Sequence, residues 1–524
     1  MELCDQFIHE LIQLIPELND FYELPEYKHL RHKATNTLTK EYKQKELKLH
    51  KKYYKIVKKK QHKSFYDTIF LDDLTIILKE SEYDLDMLPI NSLDNFPIYY
   101  ISILQGEGIY IFTDIKSYTD YLERFKLIPE ITTSIIRYMK KGLQFKNILP
   151  KIVVYDLIEQ YTSILTMDLS ILNIPNKVKD KFIKSIQDII YPSIERLLYF
   201  LKNDYLCKCS DKLGISNITG GNTIYKNLLQ EQTLQGYTPK QIHKLGYSEI
   251  KRITRKLHAL KRKIKYKGSL QDLYKFTTSN FKSKDEVLQY SKQLQTKIYT
   301  SIYPKYFEKQ LSEKELASVK SVSMGNNRLY AFYISKKKTF YVNTDNYETM
   351  NKNELLTLTL HETIPGHHLE RYIHTKSNDI PLYIKGSSQD GYIEGWGLYC
   401  ENFIDLHSDK ELVWKYVYEL HRAVRLVIDT GIHSFNWSYD KCFLFMKQLL
   451  PYSDKIIKNE IIRYICVPTQ ALSYKVGELT FLLLRDKYLE KYPDDLKGYH
   501  TLILDIGPSS LDSLLKEFIK KNIL

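Results

Sequence analysis

The chain has 524 residues, 43% hydrophobic and 27% charged, a balance that excludes a disordered or fibrous class. Its 77 Lys and Arg outnumber 63 Asp and Glu, for a net charge of +14. With 19 Gly and 16 Pro it is poor in turn residues, which argues against many short strands, and no run of roughly 18 apolar residues offers a membrane span.

Residues 1–65 read as polar helix. The opening MELCDQFIHELIQLIPELND is acidic and amphipathic and lacks a basic start before an apolar core, so no secretory leader is expected. The run KEYKQKELKLHKKYYKIVKKKQHK (40–63) spaces apolar residues such as Leu47, Tyr54 and Val57 at roughly helical intervals. A solvated helical face is favoured there over a nucleic-acid or anionic-surface contact. Residues 66–120 are mixed, with IYYISIL (98–104) and IYIFT (109–113) as strands or buried segments. Helical periodicity dominates 121–205. The stretch SDKLGISNITGGNT (210–223) is the clearest break. It suggests an N-terminal helical region, 1–209, and a second region, 210–524, although one integrated domain also fits.

Beyond the break, Thr238 and Pro239 mark an N-cap and first helical turn. A second basic run, KRITRKLHALKRKIKYK (251–267), again reads as a helical face. LYAFYISKKKTFYVN (329–343) places aromatic and β-branched residues around a polar centre and predicts a β-hairpin. Helices then continue to residue 524. The expected class is mostly α with a small sheet, and no internal repeat is found. Cys4, Cys207, Cys209, Cys400, Cys442 and Cys466 form no CxxC pair, which fits free thiols in a reducing, intracellular compartment.

The richest chemistry lies in LTLHETIPGHHLERYIH (358–374). A catalytic zinc takes three protein ligands and leaves one place open. Two histidines four apart on a helix lie about 40° apart around the axis and about 6 Å along it, and so reach one ion. His361 and Glu362 match the start of that pattern, but position 365 is Pro, and His appears only at 367 and 368. Pro365 cannot donate to His361 O, and Gly366 adds backbone freedom, so the helix should bulge or kink. A two-residue bulge returns His367 to the missing position. His368 is the alternative ligand. The third ligand is expected from DGYIEGWGLYCENF (390–403), where Glu394 is the better candidate and Glu401 a partner for a ligand histidine. A lone His-Glu pair is common by chance; the further histidines and the later EGW helix set this one apart.

These segments resemble a known family. HETIPGHHL looks like the HExxPGHH motif of proteins grouped as domain of unknown function 885 and regarded as zinc metallopeptidases. EGWGLYCE (394–401), RLVIDTGIHSFNWS (425–438), RYICVPTQALSYKVG (463–477) and TPKQIHKLGYSEI (238–250) resemble its other motifs in the same order. The match spans about 200–490 and extends more faintly over 60–200. Thr469 stands where the family usually has Gly, and Gly397 and Cys400 replace two alanines. The resemblance implies a mostly helical, cleft-forming fold similar to the angiotensin-converting enzyme, neurolysin and Taq carboxypeptidase group. It supports His367 over His368, with Glu394 as third ligand.

The expected function is therefore zinc-dependent hydrolysis of small peptides, with one Zn2+ held by His361, His367 and Glu394 and with Glu362 as general base. Tyr474 is the first candidate donor to the oxyanion, since related peptidases place a tyrosine there, and His433 is the second. Each also reads as a core side chain. Arg425, Arg463, Gln470 and Lys475 are candidate substrate contacts, the basic ones for a carboxylate. Asn343 falls near the end of the hairpin, whose edge suits an extended peptide. Peptide is the expected partner; nucleic acid and membrane are not. The competing functions are a catalytically silent peptide-binding protein, a basic nucleic-acid-binding protein, and hydrolysis of another amide or ester.

Overall fold

The computed structural model describes residues 2–105, 108–308, 311–322 and 331–524. The chain divides into two compact units, Met1–Tyr225 with Pro381–Gly386, and Lys226–Ile380 with Ser387–Leu524. The division falls within the helix Gly221–Gln232, beyond the Gly-rich stretch.

The first unit is helical. The helix Lys40–Lys59 buries Tyr42, Leu49, Tyr53 and Val57 along one face and turns its lysines outward, which explains the first basic run. Its core is aromatic. Phe7 meets Tyr53 edge-on at 5.3 Å, and Phe70 meets Tyr383 at 4.7 Å. IYYISIL is the helix Ile98–Leu104, not a strand. Its buried residues, Tyr100, Ile101, Ile103 and Leu104, follow helical spacing rather than alternation. IYIFT forms neither helix nor strand. Its aromatics fasten it instead: Phe112 stacks on Tyr118 at 4.1 Å, and Tyr110 lies 4.7 Å from Tyr121.

The second unit carries the candidate site. Its first long helix, α1 (Pro239–Lys263), starts with Thr238 and Gln241 in a capping box. Three strands follow, β1 (Ser318–Val322), β2 (Ala331–Ile334) and β3 (Thr339–Asn343), in the order β1-β3-β2. β2 and β3 are the antiparallel arms of the expected hairpin, with Phe332 opposite Tyr341. Leu329 and Tyr330 lie outside the described residues. β1 pairs parallel to β3 and was not anticipated.

Six helices complete the frame: α2 (Lys352–Glu362), α3 (His367–Lys376), α4 (Asp390–Cys400), α5 (Asp409–Phe435), α6 (Asp454–Cys466) and α7 (Gln470–Lys491). Helix α5 is the central beam. It is buried on all sides from Val417 to His433, its apolar residues packed against the surrounding helices and its charged ones, such as Glu419 and Arg425, held in ion pairs. Glycines set the closest approaches. A Cβ on Gly395 of α4 would lie 2.6 Å from Gly477 Cα of α7, so these two helices touch backbone to backbone. All six cysteines are free. Among the described residues no helix is long and apolar enough to cross a membrane.

Candidate metal centre

Helix α2 delivers His361 and Glu362 at its C-terminal end. The chain then breaks out of helix, where a bulge or kink in one helix was expected. Pro365 has no N–H to continue the ladder. Instead Gly366 N–H donates to Leu360 O at 3.0 Å, and α3 begins at His367. A Cβ on Gly366 would lie 1.9 Å from His361 O, so this return admits only glycine.

The turn brings the His361 and His367 rings edge to face, with centroids 4.7 Å apart. His361 Nδ1–H donates to Glu401 Oε1 at 2.9 Å, which fixes the tautomer and leaves Nε2 free. Glu401 is fully buried and also accepts from Arg422 at 3.4 Å. Glu394, on α4, places Oε2 at 3.5 Å from His361 Nε2 and 3.6 Å from His367 Nε2. The three ligand atoms lie within 4.8 Å of one another.

These residues fit a divalent ion. Two imidazoles and one carboxylate are a donor set that catalytic zinc takes. Atoms bound at about 2.1 Å in a tetrahedron lie about 3.4 Å apart, close to the separations here. They are too long for ordinary hydrogen bonds. His367 Nδ1 is buried with no hydrogen bond among the described residues, so polar neighbours do not by themselves hold this ring.

The electrostatics attract a cation. Burial disfavours the charged form of His361, but Glu394 and Glu401 outweigh it and hold the imidazole up to about 10 without an ion. Burial likewise opposes ionisation of Glu394, yet the two imidazoles keep it well below the usual carboxylate range. Glu362 is raised, chiefly by burial. Its Oε2 accepts from the backbone N–H of Tyr333 on β2 at 3.1 Å, which ties the sheet to the site.

His368, the alternative ligand, is committed elsewhere. Its Nε2–H donates to Glu315 O at 2.8 Å, and its Nδ1 accepts from the Tyr333 hydroxyl at 2.8 Å. Neither nitrogen is left for an ion. Burial lowers its pKa and keeps it neutral.

Tyr474, on α7, is buried, and its hydroxyl accepts from Arg463 Nη2 at 3.1 Å. Its own proton is therefore free to be donated. Burial and then the Glu394 charge raise its pKa, so it stays a phenol. Arg463 Nη2 also donates to Gln470 Oε1 at 2.8 Å. Arg425 lies 4.6 Å over the Tyr474 ring and donates to Tyr464 Oη and Glu460 Oε2, each at 3.2 Å.

Three sequence candidates have other uses. Lys475 is corrected from a substrate contact to a buried ion-pair residue: its ammonium meets Glu478, Glu419 and Glu249 at 2.5, 2.9 and 3.1 Å. His433 is fully buried and donates from Nε2 to Tyr464 O at 2.8 Å, while burial pushes its pKa down to about 4. This is a hydrogen bond of a core histidine. Asn343 ends β3, fully buried, and its side chain accepts from Asp345 N at 3.3 Å. Sequence reasoning missed Tyr333, Asp390 and Glu460. Glu460, three residues before Arg463, was the one with a readable signal. Asp390 stands one turn before Glu394, held up to about 6 by burial and then by the Glu394 charge.

Fold and site together define a mostly helical protein with a candidate His–His–Glu centre beside a buried glutamate. The chain belongs to the family described as bacterial protein of unknown function (DUF885), whose profile matches residues 22–517. Among solved structures it is similar to a "putative lipoprotein" from Colwellia psychrerythraea, at 19% identity and a TM-score of 0.86 over 98% of this chain and 97% of that one. It is also similar to a "putative lipoprotein of unknown function" from Shewanella oneidensis, at 16% identity and a TM-score of 0.69 over 99% of each. At such identities the likeness speaks for the fold. The search of curated proteins found no match.

Proposed function

We propose that the protein is a zinc-dependent peptidase acting on small peptides. The convergence of His361 Nε2, His367 Nε2 and Glu394 Oε2 beside Glu362 carries this reading. A zinc ion bound there would polarise a peptide carbonyl and make water at the site more acidic.

Glu362 removes the proton from the attacking water. The water oxygen bonds to the carbonyl carbon, and the same proton passes from Glu362 to the amine nitrogen as the C–N bond breaks. Tyr333 N–H holds one oxygen of Glu362, so the carboxylate is aimed before substrate arrives. The Tyr474 hydroxyl donates a hydrogen bond to the oxygen that gains charge and keeps its proton. Glu401 holds His361 in the tautomer a ligand needs. The exposed edge of the small sheet suits an extended peptide. Six free thiols favour a reducing, intracellular location, although two structural relatives carry lipoprotein descriptions.

The test is hydrolysis of a mixed peptide library by zinc-loaded protein, followed by mass spectrometry. Glu362→Gln should keep the zinc and lose at least about a hundredfold in rate. Equal hydrolysis by Glu362→Gln would remove the proposed base. Zinc binding without any hydrolysis would favour the silent peptide-binding protein.

A further inference from the structure

Two arginines flank Tyr474. Glu460 is a carboxylate between them, and its charge is taken up. Glu460 Oε2 accepts from Arg425 at 3.2 Å and from Tyr464 Oη at 2.7 Å. Arg463 stands 4.0 Å from Glu460 Oε1, beyond hydrogen-bond reach. Both hydrogen bonds of Arg463 among the described residues leave from Nη2, to the neutral acceptors Gln470 Oε1 and Tyr474 Oη. Its Nε and Nη1 have no hydrogen bond among the described residues. A quarter of the side chain is exposed, at 25%. Arg425 and Lys475, by contrast, are buried against carboxylates.

Such a guanidinium is built to receive an anion. Its orientation is fixed by Gln470 and Tyr474, one turn apart on α7, which take up Nη2, while Nε and Nη1 each keep donors for a single charge-assisted hydrogen bond. We infer that Arg463 receives the free C-terminal carboxylate of a peptide substrate, so that the enzyme trims peptides from the C-terminal end. This rests on the peptidase reading above. Position sets the length of the piece removed. The Arg463 guanidinium lies one hydrogen bond beyond the Tyr474 hydroxyl, the proposed oxyanion donor. An anion on its outer edge therefore lies within about 10 Å of the reacting carbonyl oxygen. An extended chain advances about 3.5 Å per residue, so the scissile bond falls one or two residues from the end. An acidic side chain at the same position would present the same carboxylate chemistry, and the test separates the two sources.

The experiment uses zinc-loaded wild type, Arg463→Gln and Arg463→Lys with three matched short peptides: a free acid, its C-terminal amide, and an amide ending in Glu. Wild type should cleave the acid with a KM about tenfold below that of the plain amide. Arg463→Gln should erase that difference in KM, whatever kcat both peptides lose together through Tyr474, and Arg463→Lys should restore part of it. Acid and amide cleaved alike by wild type would overturn the inference. So would an Arg463→Gln that slows both peptides alike and keeps the KM difference, which would make Arg463 only a brace for Tyr474. Preference for the Glu-ended amide over the acid would assign the site to a side chain instead. Calorimetry with a dipeptide acid and its amide, on zinc-loaded and zinc-free protein, decides the point without turnover. Acid binding about tenfold tighter in both forms, lost in Arg463→Gln, is the expected result. Equal binding of acid and amide would overturn it. If no peptide is cleaved while this binding difference stands, the peptidase reading fails and the carboxylate site does not.

Discussion

The Tyr333 hydroxyl donates to Nδ1 of His368 across 2.8 Å, and the Tyr333 backbone N–H holds Glu362 at 3.1 Å. The second histidine of the HH doublet thus acts as a strap, not a ligand: it pins β2, and β2 aims the proposed base. His368→Phe should keep zinc and lose about tenfold to a hundredfold in kcat/KM, whereas His367→Ala should lose the zinc. Parallel metal analysis and peptide assays check both. Zinc loss in His368→Phe at wild-type thermal stability would return His368 to the ligand set.

Glu401 is predicted to act through His361. Its carboxylate fixes the His361 tautomer from full burial. Glu401→Gln should weaken zinc affinity by about tenfold to a hundredfold, read by competition with a chelator. Unchanged affinity would mean that the ring is held by packing alone.

Much of this site was legible from residue types and spacing. His361, Glu362 and Glu394 are single donors at positions a metal helix pair requires, and Pro365-Gly366 announced an interruption. What failed was local form. A bulge was expected, but a helix end with a Gly366 N–H to Leu360 O bond is what the missing Pro365 donor produces. β1 escaped notice because SVKSV buries only Val319 outright. A strand held mainly by backbone pairing leaves little apolar pattern to read. IYYISIL misled for the opposite reason, since a short apolar run fits either period. Lys475 and Arg463 look alike in sequence, and only three-dimensional neighbours distinguish a cation locked among three carboxylates from one hydrogen-bonded to neutral acceptors.

Thr469 is a strained residue that should accept glycine. Its φ is +73°, a left-handed conformation that a β-branched side chain rarely adopts, and it immediately precedes Gln470. Its N–H donates to Asp429 Oδ2 at 3.0 Å, which Gly would retain. Thr469→Gly should stabilise the protein by about 1 kcal/mol, seen as a higher midpoint in thermal or urea unfolding. A lower midpoint would show that Thr469 Oγ1, which donates to Pro468 O, is worth more than the strain.

His500 links stability to acid. It is fully buried between Tyr399 Oη at 2.8 Å and Tyr306 O at 2.7 Å, and burial pushes its pKa from 6.5 down to about 4. The unfolded chain protonates this ring below about 6.5, while the fold keeps it neutral until about 4. Unfolding therefore takes up a proton in that window, and the stability His500 contributes falls as pH drops through it. His500→Gln lacks this term. The destabilisation it causes should be smaller at pH 4.5 than at pH 7.5, by roughly 1–3 kcal/mol. An equal or larger cost at acid pH would show that His500 is charged in the fold.

The central claim is that His361, His367 and Glu394 hold one metal ion. Its most direct test is elemental analysis of protein purified without added metal, beside His361→Ala, Glu394→Ala and His368→Ala. About one zinc per chain in wild type and His368→Ala, lost from the other two, is the predicted result. Wild type that binds no zinc, even after reconstitution, would contradict the account.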